Sequence, residues 1–226
     1  MIVVGAAGVA VLGGALAFVA LDRPAATPPP HRIGDPGRST TTTSAPVAAA
    51  PTTTSTTTDV PGPAGPGFVP GQVTAVGDSV MLDYQDPLKA SIPGIQVDAA
   101  VSRQWADGEG ILQTMKAQGQ LGGLVIVGLG TNGPITDADF DHMMAILGGA
   151  SRVVFVNVHV DRPWQDPNNA VLARGAARFP HVVVADWATL AAKNPQWFGG
   201  DGVHLAIDGP GAAALAGLVS TTLANG

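Results

Sequence analysis

From Gln72 to the C-terminus, short apolar runs alternate with amphipathic stretches and Gly-containing polar breaks. The apolar runs predict five β-strands, at 73–76, 95–101, 124–129, 152–160 and 181–185. Apolar residues at helical spacing between them predict α-helices at 80–90, 105–118, 137–147, 168–178 and 210–223. Pro87 disturbs the first of these helices, and Asp208 stands at the start of the last.

Alternating strands and helices are typical of an α/β fold with a parallel sheet and right-handed crossovers. The run 124–129 is continuously apolar, as expected of a strand that helices cover on both faces. We therefore predict a three-layer α/β/α sandwich with a five-stranded parallel sheet in the flavodoxin-like order 2-1-3-4-5. The first and third strands flank the switch point of that order, where ligands bind beyond the carboxyl ends of the strands.

The chain before this pattern has two different compositions. Residues 1–21 are mostly apolar, and residues 22–71 are dominated by Pro, Thr, Ser and Ala. The first segment has the length of a transmembrane helix or signal anchor. A cleavable secretory signal and a buried soluble helix are its alternatives. The second segment is predicted to be a disordered linker, because it has few large apolar side chains to offset the entropy of ordering. Residues 72–226 are assigned to one folded domain.

Two features of the sequence predict opposite membrane orientations for the apolar segment. The Thr-rich linker is typical of an extracellular stalk, whereas Arg23, Arg32 and Arg38 would favour the cytoplasm by the positive-inside tendency. We predict an extracytoplasmic domain anchored to the membrane, or a secreted one if residues 1–21 are cleaved. The contradiction disappears if this segment is the last span of a multi-pass protein whose earlier helices set the orientation.

The net charge and the absence of cysteine exclude several kinds of partner and active site. The formal net charge is −6, and residues 1–71 contribute zero because three Arg balance three Asp. An acidic domain without a run of Lys and Arg argues against nucleic acid as a partner. The chain has no Cys, which excludes disulfides, thiolate metal sites and a cysteine nucleophile. Beyond Asp201 and His204, which suit a different chemistry, no cluster of His, Asp and Glu is singled out as a metal site, so neither a metal nor a cofactor is predicted.

Three polar motifs carry the candidate chemistry: Gly77-Asp78-Ser79, Gly130-Thr131-Asn132-Gly133 and Asp201-Gly202-Val203-His204. Serine is a poor nucleophile unless a base takes its proton, and His204 oriented by Asp201 supplies such a base. The N–H of Ser79 at a helix N-terminus and the amide of Asn132 supply donors for an oxyanion. Taken singly, each motif also fits an ordinary turn or helix cap. Together they predict a serine acyl-transfer site.

Three further residues follow strands at the same predicted edge. The N–H of Ser102 is a candidate third oxyanion donor. Arg103 is a candidate substrate contact, with a structural salt bridge as the alternative. Trp164 is a candidate sugar contact at the rim, with burial in the core as the alternative.

These motifs, in this order on this topology, resemble the SGNH hydrolase superfamily over 72–226. Ser79, Asn132, Asp201 and His204 match its name residues and its Asp-x-x-His block. Two positions depart from the pattern, since Ser102 stands where the second block has Gly and no Asp follows the Asn. The motif sequences resemble those of the C-terminal domain of integral-membrane acyltransferases that O-acetylate cell-wall glycans. The motifs in question are Gly-Asp-Ser-Val-Met, Val-Ser-Arg-Gln and Gly-Thr-Asn-Gly.

The resemblance implies acetyl transfer from an acyl donor to a glycan acceptor through an acyl-serine. It also implies a multi-pass membrane acyltransferase as a partner. Two other functions stay open: an acyl-esterase that uses the same residues, and a non-catalytic wall-binding module with a degenerate site.

Overall fold

The structure is a computed structural model and describes residues 62–226. In this range five strands alternate with helices along the chain. The strands are β1 (Phe68–Gly77), β2 (Gln96–Ala99), β3 (Leu121–Gly128), β4 (Arg152–Val156) and β5 (Val182–Ala185). The helices are α1 (Ser79–Ser91), α2 (Trp105–Ala117), α3 (Asp137–Leu147), α4 (Gln165–Ala176), α5 (Trp187–Ala192) and α6 (Pro210–Asn225), with a 3₁₀ turn at Pro195–Trp197. The predicted apolar segment 1–21 and most of the predicted linker lie outside the described residues.

All five strands are parallel and stand in the order β2-β1-β3-β4-β5, which confirms the predicted α/β sheet topology. Gly77 near the carboxyl end of the sheet pairs with Ala99 of β2 and with Gly128 of β3. The three strands at the switch point therefore end level with one another. The chain leaves all three of them at the same edge, where the polar motifs lie.

Both faces of the sheet are buried, because successive side chains of a strand point to opposite faces. On one face, Val125 and Val127 of β3 belong to a cluster completed by α2, α3 and α4. On the other face, Ile126 belongs to a cluster completed by α1, α5 and α6. All three side chains are at most 1% exposed, so the predicted three-layer sandwich is confirmed around β3. The packed layers make a rigid platform for the edge that carries the motifs.

Two strands end two or more residues earlier than predicted, and β3 ends one residue earlier, at Gly128. β2 stops at Ala99 and β4 stops at Val156. After β4, the N–H of Val158 donates to the Asn169 side chain and the N–H of Val160 donates to the Gln165 side chain. These α4 side chains satisfy backbone groups that would otherwise need a neighbouring strand, and residues 157–160 therefore form a loop. β1, in contrast, begins at Phe68, before the predicted start of the domain.

The helices also differ in detail. α1 continues through Pro87 to Ser91, and α4 begins at Gln165, three residues before the prediction. α5 was not predicted, because six residues hold too few turns to show a helical period. Gly209 is the N-cap of α6, whereas Asp208 precedes it with a φ of 62° and does not cap the helix. Within residues 62–226, none of the helices combines the length and the apolar character needed to cross a membrane.

Candidate active site

Ser79 is the first residue of α1, two positions after β1 ends at Gly77. Asp78 caps the helix, since its Oδ1 accepts a 3.1 Å hydrogen bond from the N–H of Val80. Gly77 has no room for a side chain, because a Cβ there would lie 2.5 Å from Cβ of Met81. The Ser79 hydroxyl is therefore presented at a tight strand-to-helix turn, beside the positive end of the helix dipole.

His204 lies in the loop before α6, and its Nε2 is 2.9 Å from Oγ of Ser79. Its Nδ1 is 2.6 Å from Oδ2 of Asp201. An ionised carboxylate only accepts hydrogen bonds, so Nδ1 carries the ring hydrogen and Nε2 presents its lone pair to the serine hydroxyl. Oδ1 of Asp201 accepts from the N–H groups of Val203 and His204, both at 3.0 Å. The carboxylate is thus held inside a tight turn that aims the imidazole at Ser79.

The electrostatics of this pair agree with its geometry. The hydrogen bond from His204, supported by the two backbone N–H groups, holds the pKa of Asp201 well below its usual range. The same hydrogen bond raises the pKa of His204, against the opposing effect of burial. Asp201 therefore stays ionised near neutral pH, and it stabilises the imidazolium that forms when His204 takes a proton. The pair can act as a general base for a neighbouring hydroxyl.

One cleft at the carboxyl edge of the sheet brings the predicted residues together. Ser79, Asn132, Trp164, Asp201 and His204 all line it. The side chains of His204 and Asp201 are 44% and 53% exposed, so the cleft is open to solvent. Ser79 itself is 8% exposed, so its hydroxyl lies at the bottom of this open cleft.

Comparison with known proteins agrees with this geometry. No family model matches the chain. The chain is similar to the peptidoglycan O-acetyltransferase OatA of Listeria monocytogenes, with 38% identity over 134 residues, 59% of this chain and 21% of that protein. It is also similar in structure to the C-terminal catalytic domain of peptidoglycan O-acetyltransferase A (OatA) of Streptococcus pneumoniae, with a TM-score of 0.60 and 24% identity over 68% of this chain and 90% of that one. The described domain has the SGNH hydrolase fold.

A lipase/acylhydrolase from Enterococcus faecalis shares the SGNH fold more distantly, with a TM-score of 0.54 and 19% identity over 66% of this chain and 93% of that one. The chain spans between a fifth and a quarter of the length of the curated relatives that it matches. The similarity to OatA therefore concerns the SGNH domain and not the remainder of those longer proteins.

The loop that carries Asn132 in the SGNH domain is held from below by Asn168 of α4. The Asn168 side chain is fully buried, and its Nδ2 donates to the carbonyls of Gly130 and Gly133 at 3.0 and 2.9 Å. Its Oδ1 accepts from the N–H of Ile135 at 2.8 Å. Asn168 thus fixes both sides of the loop. The sequence placed Asn168 at the start of a predicted helix, and nothing in its neighbours signals these distant bonds.

We expect Asn168→Ala to lower the free energy of unfolding by about 2–4 kcal/mol, because a buried carbonyl, a part-buried carbonyl and a buried N–H lose their partner. Urea denaturation of the full chain measures the change. Asn225→Ala, at the exposed end of α6, is the control and should unfold like the wild type. Equal midpoints for the two variants would contradict the assigned role of Asn168.

Asp78 has a second role that sequence analysis missed. Besides capping α1, it accepts a 3.3 Å hydrogen bond from the N–H of Thr131 through Oδ2. The side chain is 1% exposed, and burial raises the pKa of its carboxyl. Asp78 therefore joins the turn of Ser79 to the loop of Asn132. Both places carry a predicted oxyanion donor.

Ser102 occupies the position where the SGNH pattern has glycine. The backbone conformation at this position explains why glycine suits it. Its φ is 58°, in the left-handed region that glycine enters without a steric cost. The side chain of Ser102 is exposed in the turn after β2. Ser102 does not belong to the lining of the cleft, and its role as an oxyanion donor stays a prediction.

Arg103 forms a structural salt bridge, one of the two roles that the sequence left open for it. Its guanidinium donates to the carbonyl of Gly77 at 3.0 Å and to the carboxylate of Asp98 at 2.6 Å. The guanidinium is directed at the ends of β1 and β2 and does not line the cleft, and its predicted contact with a substrate stays a prediction. The backbone carbonyl of Arg103 accepts a 3.2 Å bond from Nδ2 of Asn132. Arg103 therefore links the end of β1 to the side chain of Asn132.

Trp164, in contrast, lines the cleft, and its role as a sugar contact stays a prediction. Its Nε1–H donates to the carbonyl of Thr131 at 3.1 Å, which ties the loop after β4 to the Asn132 loop.

Among residues 62–226, no three His, Asp or Glu side chains are grouped so that they could hold a metal ion.

Proposed function

We propose that the SGNH domain transfers an acyl group, most simply acetyl, to a hydroxyl of a cell-wall glycan through an acyl-serine intermediate. The observation that carries this proposal is the contact series from Asp201 through His204 to Ser79, at 2.6 and 2.9 Å. The acetyl group and the glycan acceptor are suggested by relatives that are named peptidoglycan O-acetyltransferases.

In the first half of the reaction, Oγ of Ser79 attacks the carbonyl carbon of an acyl ester or thioester while Nε2 of His204 takes the hydroxyl proton. The negative charge moves to the carbonyl oxygen. The N–H groups of Ser79 and Ser102 and the amide of Asn132 are the proposed donors to this oxyanion. One hydrogen of the Asn132 amide is bonded to Arg103, which leaves the second for the oxyanion. The intermediate collapses, and the leaving group takes the proton from His204.

In the second half, a glycan hydroxyl occupies the place of the leaving group. His204 takes its proton, and the resulting oxygen attacks the carbonyl carbon of the acyl-serine. Collapse of the second tetrahedral intermediate forms the glycan ester and returns the proton to Oγ of Ser79. No atom or electron is left over, and no cofactor is needed.

Hydrolysis is the second candidate, and the open cleft favours it. The half-exposed side chains of His204 and Asp201 let water reach the position of the glycan hydroxyl. The same residues would then act as an acetylesterase. Transfer and hydrolysis differ in which nucleophile reaches the acyl-serine first.

The proposed setting follows from the first segment of the chain and from the relatives. The domain acts outside the cytoplasm, tethered to the membrane by residues 1–21, or secreted if these are cleaved. A multi-pass membrane acyltransferase is the proposed partner that delivers the acyl group.

The test supplies 4-nitrophenyl acetate as the donor and an N-acetylglucosamine oligosaccharide as the acceptor to the full chain. We expect the mass spectrum to show the oligosaccharide with an added acetyl group. Release of acetate alone, with an unmodified oligosaccharide, would favour the esterase. Absence of both, together with no labelling of Ser79 by a fluorophosphonate, would favour a non-catalytic wall-binding module.

A further inference from the structure

The helix that carries the nucleophile also carries a carboxylate one turn later. Ser79 and Asp83 are four residues apart in α1, so their side chains leave the same face of the helix. That face is turned toward the loop of His204. The sequence analysis did not single out Asp83, because nothing in the sequence showed what it would contact.

The structure shows a contact between Asp83 and the backbone beside the histidine. The N–H of Leu205 donates to Oδ2 of Asp83 at 3.0 Å. The Leu205 side chain is 5% exposed and packs in the same cluster as Met81 and Leu88 of α1. Leu205 is thus fixed on both sides, through its N–H and through its side chain. His204 precedes it directly and has little freedom to move away from Ser79.

The His204 loop is therefore tied to α1 at two points. One is the bond of Nε2 to Oγ of Ser79, and the other is the bond of the Leu205 N–H to Asp83. A bond between a base and a nucleophile breaks in every catalytic cycle, whereas the bond to Asp83 does not take part in the chemistry. The bond to Asp83 can hold the imidazole of His204 in place while the bond to Ser79 is broken and remade.

Asp83 also contributes charge to the site. The groups that face His204 are Asp201 on its own loop, Asp78 and Asp83 at the start of α1, and Asp161 and Arg162 on the loop after β4. The hydrogen bond to Asp201 makes the largest contribution to the raised pKa of His204, and the charge of Asp83 adds to it. Burial raises the pKa of Asp83 itself.

We infer that Asp83 is a positioning residue for the proposed reaction, because it holds the backbone beside His204 on the helix that carries Ser79. The inference rests on the proposed function of the Ser79 site. It assigns to one rigid element both the nucleophile and the support of its base. Asp83 touches neither substrate nor reacting atoms, so it acts through His204.

The experiment compares the full chain with Asp83→Ala, Asp83→Asn and a control, Asp86→Asn. Asp86 lies on the same helix, is 70% exposed, and pairs with Lys89. Turnover of 4-nitrophenyl acetate is measured against pH. We expect Asp83→Ala to lower kcat by roughly 10²-fold with little change in KM, since a small displacement of the base slows the chemical step. Asp83→Asn keeps an oxygen for the Leu205 N–H, and we expect it to restore most of kcat.

The two variants should also change quantities that a merely structural residue would leave alone. Loss of the Asp83 charge lowers the pKa of His204, so the acid limb of the pH profile should move to lower pH in Asp83→Asn. NMR titration of the His204 ring measures the same pKa without turnover. Amide hydrogen exchange at Leu205 should be faster in Asp83→Ala than in the wild type and in Asp83→Asn. Asp86→Asn should match the wild type throughout.

Unchanged exchange at Leu205 in Asp83→Ala, or an unchanged kcat in that variant, would overturn the inference. If Asp83→Ala does not fold, Asp83→Leu, which keeps a similar volume but removes both carboxylate oxygens, takes its place with the same expected results. A wild type without turnover, in which both NMR changes are nevertheless seen, would overturn the proposed function and uphold the role of Asp83.

Discussion

Ser79→Ala will reduce the turnover of 4-nitrophenyl acetate by about 10⁶-fold, because it removes the atom that forms the acyl-enzyme. The change deletes one oxygen from a residue that is 8% exposed, so the fold should be kept. Labelling by a fluorophosphonate should be lost together with turnover. Initial rates at saturating ester, followed for the full chain and the variant side by side, give the measurement.

Ser91→Ala provides the matched control for this prediction. Ser91 is the last residue of the same helix, and its exposed hydroxyl donates to the carbonyl of Pro87. It should keep full turnover and full labelling. A Ser79→Ala protein that still hydrolyses the ester at the wild-type rate would remove Ser79 from the mechanism, and with it the acyl-serine.

The order of the strands could be predicted because it depends on a pattern that repeats along the chain. Apolar runs such as 124–129 show a strand buried on both faces, and alternation with helices then leaves few parallel arrangements. The same topology brings Ser79 and Asn132 to one edge although 53 positions separate them. The motif of Asp201 and His204 joined this edge in the prediction on chemical grounds, and the 2.9 Å contact with Ser79 agrees with it.

What could not be predicted depends on contacts between distant side chains. Asn168 clamps the Asn132 loop from another helix, and its sequence neighbours carry no sign of that loop. Arg103 had two open interpretations, which only the positions of Gly77 and Asp98 could separate. The early end of β4 has the same origin, since the loop after it is stabilised by side chains of α4.

The residues that support the site share one physical task. Asp78, Asn168 and Arg103 each bond the backbone of a different loop or strand end, and each is largely buried or held in a salt bridge. They carry no reacting atom. They hold the ends of β1, β2 and β3 at the spacing that the reacting residues need, and such support follows from packing and not from a local motif.

Asp201→Asn is expected to have the second largest effect, a fall in kcat of about 10⁴-fold. An amide at this position can donate to Nδ1 of His204, which would leave the ring hydrogen on Nε2 and direct it at Ser79. The base would then have no lone pair for the serine proton. The carboxylate's two backbone bonds, from Val203 and His204, can still be accepted by the amide oxygen, so the loop should keep its shape.

The pH profile gives this prediction a second readout. His204 acts as a base only when it is neutral, and its pKa is raised above 6.5 mainly by the hydrogen bond to Asp201. The wild-type value of kcat/KM should therefore fall as the pH drops through a midpoint above 6.5. In Asp201→Asn the charge that favours imidazolium is gone, so the residual activity should have its midpoint at lower pH. The control is Asp208→Asn, an exposed position in the same loop whose φ of 62° Asn tolerates well. Loss of activity in the control equal to that in Asp201→Asn would show that loop charge, and not the orientation of His204, sets the rate.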